Sequence, residues 1–179
     1  MSGAAVEIRL ATAADTPALA EFATRAFLDA YGPANDPDDV ALHVERTYGA
    51  ERQAAELAAG IRCLLAVEGG AIVGYASLCE GAAHPGVEAT APCELRRFYV
   101  DRSRHGRGVA AALMDAAVTA ARAAGARSLW LTTWEHSRRA RGFYAKSGFV
   151  DVGATTFMLG ASLQTDRLLV RALDQRQPG

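Results

Sequence analysis

The chain of 179 residues has only three cysteines, two tryptophans and six prolines. Cys63, Cys79 and Cys93 are odd in number and widely spaced, with no CxxC pair. Neither His84 nor His105 stands at a metal-ligand spacing from them. A disulfide framework and a structural metal are therefore not expected, and the thiols read as buried groups in a reducing, cytoplasmic setting. No charge of one sign dominates: 19 basic and 20 acidic residues leave a net charge of −1, which argues against a globally basic nucleic-acid binder. Long apolar runs are also missing. The longest uncharged stretch, Val152 to Thr165, has fourteen residues and two glycines, short of the ~18 that a membrane span needs. Glu7 and Arg9 interrupt the start of the chain, so no signal peptide is expected there. What is present is a half-apolar sequence, long enough to bury roughly 70% of its unfolded surface as one domain over residues 1–174, with a frayed polar tail at 175–179.

The hydrophobic pattern alternates between the two common periods. Val6 to Leu10 alternates apolar and charged residues, a half-buried strand. Thr12-Ala-Ala-Asp15 reads as a capping box with Pro17 in the first turn of a helix. Leu19, Phe22, Ala23, Ala26 and Phe27 then share one helical face. Short helices are expected over 38–48 and 50–59, and a hairpin over 62–68 and 71–79 around Gly69-Gly70. A loop follows from Glu80 to Pro92, then a strand over 95–100. Val109 to Ala124 reads as a helix whose inner side is Val109, Leu113, Ala117, Ala120 and Ala124, closed by Gly125. After it come a strand over 128–133, a short helix over 138–147 capped by Ser137, and a closing hairpin over 149–159 and 166–173. Antiparallel hairpins at both ends flank a central strand–helix–strand unit. The expected fold is thus an α/β (α+β) single domain. Its central sheet has about seven strands, mixed but mostly antiparallel, with one parallel β-α-β crossover and helices on both faces.

Chemistry concentrates after the two central strands. Gly106 and Gly108 occupy a turn that leads at once into a helix, where free N–H groups and the helix dipole suit a phosphate. Ala112 and Leu113 follow where a third glycine would complete a dinucleotide fingerprint, so that reading loses. Residues 102–107 and 135–146 each carry a net charge of +3 within this weakly acidic chain. Arginines at helix starts oppose the dipole, and an anionic ligand between the two helix N-termini turns that repulsion into attraction. The competing readings are solvated surface arginines and a nucleic-acid site, the latter lacking interleaved aromatics. His43 and His136 stand alone and read as surface or capping groups. Trp130 and Trp134 share a strand face. Cys93 points away from its neighbour Glu94 and is no candidate nucleophile.

From Glu94 to Phe149 the chain resembles the GCN5-related N-acetyltransferase (GNAT) superfamily. The resemblance rests on Glu94-Leu-Arg-Arg-Phe-Tyr-Val100, Arg104-His-Gly-Arg-Gly-Val-Ala110 and Ala140-Arg-Gly-Phe-Tyr-Ala-Lys-Ser-Gly-Phe149. Two positions depart from the family pattern. His105 stands where the phosphate turn begins with Arg or Gln, and Ser137 where an Asn is frequent. The resemblance implies acetyl-CoA as co-substrate and no metal. It implies a donor site at Phe98, Tyr99, Val100, His105, Gly106, Arg107, Gly108, Val109, Ala110, Ser137, Ala140, Phe143 and Lys146. Within it, a backbone N–H of Phe98, Tyr99 or Val100 meets the oxyanion if the strand bulges there. The family's spacing of base to phosphate turn falls on Glu94, which otherwise is a solvated carboxylate or a partner of Arg96. The family's tyrosine near the donor sulfur falls on Tyr144, which otherwise is a core aromatic.

The hairpin text Phe157-Met-Leu-Gly160 through Asp166-Arg-Leu-Leu-Val, with Phe149-Val-Asp-Val-Gly153 before it, is similar to bacterial spermidine/spermine acetyltransferases. Asp36, Asp38, Asp39 and Glu45 suit a polycation, or equally an ordinary acidic helix start. The expected reaction is acetyl transfer to a small primary amine or polyamine by direct attack in a ternary complex, with Glu94 as base and Tyr144 as acid. Protein lysines or N-termini as acceptors, a catalytically idle acyl-CoA sensor and a nucleic-acid module are the alternatives. The expected partners are acetyl-CoA and the amine, with neither nucleic acid nor membrane, and the protein is a monomer or homodimer.

Overall fold

The computed structural model describes residues 5–173; the expected tail lies outside them. The elements run β1 Glu7–Leu10, α1 Thr16–Tyr31, α2 Pro37–Tyr48, α3 Ala50–Ala58, β2 Arg62–Glu68, β3 Ala71–Glu80 and β4 Pro92–Val100. They continue as α4 Val109–Ala123, β5 Ser128–Trp134, α5 Arg138–Lys146, β6 Val150–Leu159 and β7 Ser162–Ala172. The seven strands form one sheet in the order β1-β2-β3-β4-β5-β7-β6, and every pairing is antiparallel except β4 with β5. The expected sheet and crossover are therefore present.

Strand alternation divides the core into two layers, one on each face. Leu64, Ala66, Ala76, Leu78, Cys93 and Leu95 point to the α4 side, where they meet Val109, Leu113, Met114, Ala117, Val118 and Ala121. Cys63, Leu65 and Tyr75 point the other way, against Leu19, Phe22, Ala23 and Phe27 of α1. Burial of each large α1 side chain stabilises by roughly 1.5–3 kcal/mol. The inner stripe of α4 includes Met114, Val118 and Ala121, whereas Ala124 is exposed. The helix ends at Ala123, so Ala124 falls outside its apolar face. The start of α1 follows the expected box: the Thr12 N–H and hydroxyl donate to Asp15 at 2.7 and 3.0 Å. Asp15 also takes a two-pronged bond from Arg9.

β4 is three residues longer at its start than expected, because Pro92 to Glu94 pair with Ser128 to Trp130 of β5. After Glu94 the two strands part. β4 continues beside β3 and β5 continues beside β7, with nothing paired between them. The sheet thus opens as a V at the carboxyl ends of its one parallel pair, where ligands of open α/β sheets bind.

Candidate active site

The turn after β4 is held from three sides. The Asp101 carboxylate accepts from the Ser103 N–H and hydroxyl. Arg104 pairs with Glu68, so one of the first cluster's three arginines is committed to the fold. The His105 ring donates from Nε2 to the Val100 carbonyl at 3.1 Å, which ties the turn to its strand and directs the imidazole away from the helix start. Gly106 and Gly108 have φ of 76° and 82°, a left-handed conformation costing other residues about 1–2 kcal/mol. A Cβ at either position meets nothing within 4 Å. The N–H groups of Gly106, Gly108, Val109, Ala110 and Ala111 donate to no backbone carbonyl among the described residues. Unpaired donors, open space and the α4 dipole together make a cradle for an anion.

α5 begins beside it, after β5. Ser137 is its N-cap, without a side-chain cap bond, and the N–H groups of Arg139 and Ala140 have no backbone acceptor among the described residues. Arg102, Arg107, Arg138 and Arg139 are exposed, and none is in an ion pair among the described residues. Arg141 instead donates to the Glu135 carbonyl and approaches Asp151 at 3.7 Å. Lys146 is exposed in the last turn of α5, about 12 Å along the axis from the helix start at 1.5 Å per residue.

On the α4 side of the V, Phe98 stacks on Phe143 at 5.5 Å, and Tyr144 packs edge-on against Phe98, Phe143 and Phe149. Val100, Val109 and Ala140 complete this wall. Burial, with a smaller contribution from Tyr31, pushes the Tyr144 phenol well above its ordinary pKa. It therefore remains protonated at neutral pH. Tyr99 faces the other way and stacks on Tyr75 at 5.7 Å.

Glu94 also lies on the Tyr99 face, opposite the buried Cys93. Its carboxylate accepts from Arg96 Nε and Nη2 at 3.1 and 2.9 Å, the pairing that competes with a free base. The strand does bulge, but earlier than 98–100. Ser77 pairs with Arg97 and Leu78 with Leu95, leaving Arg96 over. The extra residue lets Arg96 reach both Glu94 and the Cys79 sulfur at 3.3 Å.

On the α1 side the V opens toward a cavity of about 420 Å³, lined by Asn35, Asp36, Asp39, Trp134, Glu135, His136 and the start of β7 among others. Among the described residues, three carboxylates and no Lys or Arg line it. Asp36 doubles as the N-cap of α2, accepting from the Asp38 and Asp39 N–H groups. Asp39 accepts from the Ala161 N–H at 2.7 Å, and Gln164 donates to Asn35 at 2.6 Å. These two bonds bind the α1–α2 segment to the hairpin and roof the cavity. Trp134 borders this cavity. His136 is exposed beside it, edge-on to Trp134. His43 is not a surface group: it stacks on Phe27 at 4.7 Å, and burial lowers its pKa.

Tyr31 and Asp166 also belong to this region, although the motifs do not mark them. Burial first, then the charge of Asp166, raises the Tyr31 phenol's pKa, while side-chain bonds to Tyr99 and Ser137 oppose the rise. Tyr31 is edge-on to Trp134 at 6.2 Å, so the end of α1 meets the end of β5 here. The one sequence signal for Asp166 is its parity with Leu168, which puts a carboxylate at an inward strand position.

Comparison with known proteins agrees with this geometry. Residues 18–149 match the acetyltransferase (GNAT) family model. An uncharacterized N-acetyltransferase of Mycobacterium tuberculosis (strain ATCC 25618 / H37Rv) is 38% identical over 160 residues, covering 89% of this chain and 98% of the relative. An uncharacterized N-acetyltransferase of Lactobacillus delbrueckii subsp. lactis is 32% identical over 162 residues, covering 89% and 92%. None of these names specifies an acceptor. Among solved structures, the PaiA N-acetyltransferase of Thermoplasma acidophilum in complex with coenzyme A superimposes with a TM-score of 0.77 at 18% identity, over 94% of this chain and 99% of that one. The yncA protein of Salmonella typhimurium, solved with its cofactor acetyl-CoA, gives 0.68 at 20% identity over 98% of each. The structural likeness shows a shared fold, and the family match with the two relatives shows descent: this chain belongs to the GNAT acetyltransferase family.

Proposed function

We propose that the protein transfers the acetyl group of acetyl-CoA to a small primary amine or polyamine by direct attack within a ternary complex. The observation that carries this reading is the split between β4 and β5, with the unpaired N–H groups of residues 106 and 108–111 at its mouth. The cradle suits the diphosphate of coenzyme A, and the unpaired Arg102, Arg107, Arg138 and Arg139 suit its remaining phosphates. The V accommodates an extended pantetheine arm against backbone that lacks a strand partner. The thioester supplies an activated acyl group with a good leaving thiol.

The chain's own residues then have three tasks. Backbone N–H groups along the unpaired edge of β4, beyond the bulge at Arg96, face the developing oxyanion. Tyr144, kept protonated by burial, gives its proton to the departing thiolate. Glu94 draws a proton from the amine through water, its carboxylate held in place by Arg96. The acidic lining of the cavity on the α1 side favours an acceptor carrying positive charge along its length. The hairpin's likeness to spermidine/spermine acetyltransferases points the same way.

Isothermal titration with acetyl-CoA tests the donor half, and thiol release with spermidine and simple alkylamines tests the acceptor half. The expected result is saturable acetyl-CoA binding that Gly108→Glu abolishes, with amine-dependent release of free thiol. A correctly folded wild type that ignores acetyl-CoA overturns the reading.

A further inference from the structure

Three charged side chains are buried among the described residues: Glu56, Arg97 and Asp166. The first two neutralise each other in a two-pronged ion pair. Asp166 is 6% exposed and is in no ion pair among the described residues. A carboxylate taken out of water without a cation is costly, and burial raises the Asp166 pKa accordingly; a bound cation offsets that cost.

Its surroundings show where that partner sits. Asp166 lies opposite Trp134 of β5 and Thr155 of β6. Trp134 is edge-on to Tyr31 at 6.2 Å, so Asp166 is on the α1 face. Thr132, two residues before Trp134 and on the same face, is exposed and stands diagonal to Asp166 across the β5–β7 pairing. The space above Thr132 is therefore open. Tyr31 lies beside Trp134, the β5 partner of Asp166. The carboxylate thus stands opposite the end of β5, beyond the point where that strand has left β4.

We propose that Asp166 seats the acceptor's reacting nitrogen, recognising it as a primary aliphatic ammonium and holding it beside Thr132 and Tyr31 at the mouth of the V. This rests on the acetyltransferase reading and refines it. Glu94 is already paired with Arg96, whereas Asp166 is in no ion pair among the described residues, and an ammonium beside it favours its charged form. The acids of the neighbouring cavity then serve the rest of a polycation, and Asp166 serves the nitrogen common to every acceptor. Asp166 is consequently required for monoamines and polyamines alike.

The test separates the two claims. Coenzyme A without an acetyl group is titrated first into wild type and Asp166→Asn. Then n-butylamine and spermidine are titrated into each coenzyme A complex, where no reaction can occur. Expected are coenzyme A affinities equal within twofold and amine binding at least 30-fold weaker in the variant for both amines. Equal amine binding by the variant overturns the inference, as does a wild-type complex that binds neither amine. Failure of wild type to bind coenzyme A overturns the acetyltransferase reading, and the seat falls with it. Should Asp166→Asn misfold, Asp166→Thr, a polar and β-compatible side chain, carries the same comparison.

Discussion

In the proposed reaction Tyr144 must keep its own proton until the thiolate leaves, and the aromatic wall secures this. Burial raises its pKa well above the ordinary value, at the expense of easy proton release, which the thiolate's greater basicity in a dry site offsets. Tyr144→Phe preserves the contacts with Phe98, Phe143 and Phe149 and removes only the proton. The expected outcome is a fall in kcat of about 10²-fold or more with acetyl-CoA affinity unchanged, read by steady-state rates and titration. Glu94 is read differently because Arg96 holds it. Glu94→Gln is expected to lower kcat more at low pH than at high pH, where more of the amine is already unprotonated; a pH-independent loss assigns Glu94 to positioning Arg96. Glu94 and Tyr144 were legible as candidates because they sit in contiguous motif text. Tyr31 and Asp166 were not, since each gains its meaning from a neighbour more than a hundred residues away in sequence.

At the scale of elements, two glycines control the two halves of the cleft. Gly108 precedes α4 with φ 82° and open space around its missing Cβ. Gly108→Ala is expected to cost about 1–2 kcal/mol of stability through backbone strain and to weaken acetyl-CoA binding, both measurable by denaturant unfolding and titration. Gly160, in the β6–β7 turn, has φ 58°, and a Cβ there would lie 2.5 Å from the Cα of Asp39 and 2.7 Å from its carbonyl oxygen. No side chain fits without separating α2 from the hairpin. Gly160→Ala is expected to open the cavity roof, raising the KM for amine several-fold while acetyl-CoA affinity holds. The V itself was only half legible: the sequence indicated a crossover, but not that β4 would pair with β5 for three residues and then part. The bulge at Arg96 was likewise not encoded by any glycine or proline; it arises from the register of two neighbouring strands.

Across the whole molecule, the buried Glu56–Arg97 pair fastens α3 to β4 beneath a layer of phenols. Arg97 also lies over the Tyr48 ring at 5.3 Å. Burial raises the Glu56 pKa, but the hydrogen bond and charge of Arg97, with those of Arg52, outweigh it and leave the carboxyl below its usual value. The stability this contributes is therefore complete above the unfolded glutamate pKa of ~4.3 and is lost as pH falls through the folded value. Glu56→Ala is expected to cost about 3–5 kcal/mol at pH 7, because Arg97 is left buried and unpaired. Glu56→Gln is expected to flatten the decline of Tm below pH 4. Thermal unfolding between pH 3 and 7 checks both.

The element order, the two left-handed glycines before α4 and the small-residue helix behind them follow from the chain's local text alone. Each follows from local periodicity or from a backbone conformation that few residues tolerate. It also placed positive charge at two helix starts, and an N-terminus is positive whatever surrounds it. The tertiary structure decided which charges remain available. Arg104 is committed to Glu68 and Glu94 to Arg96, whereas Asp166 has no cation among the described residues, because ion pairing depends on distance in space and spacing along the chain does not report it.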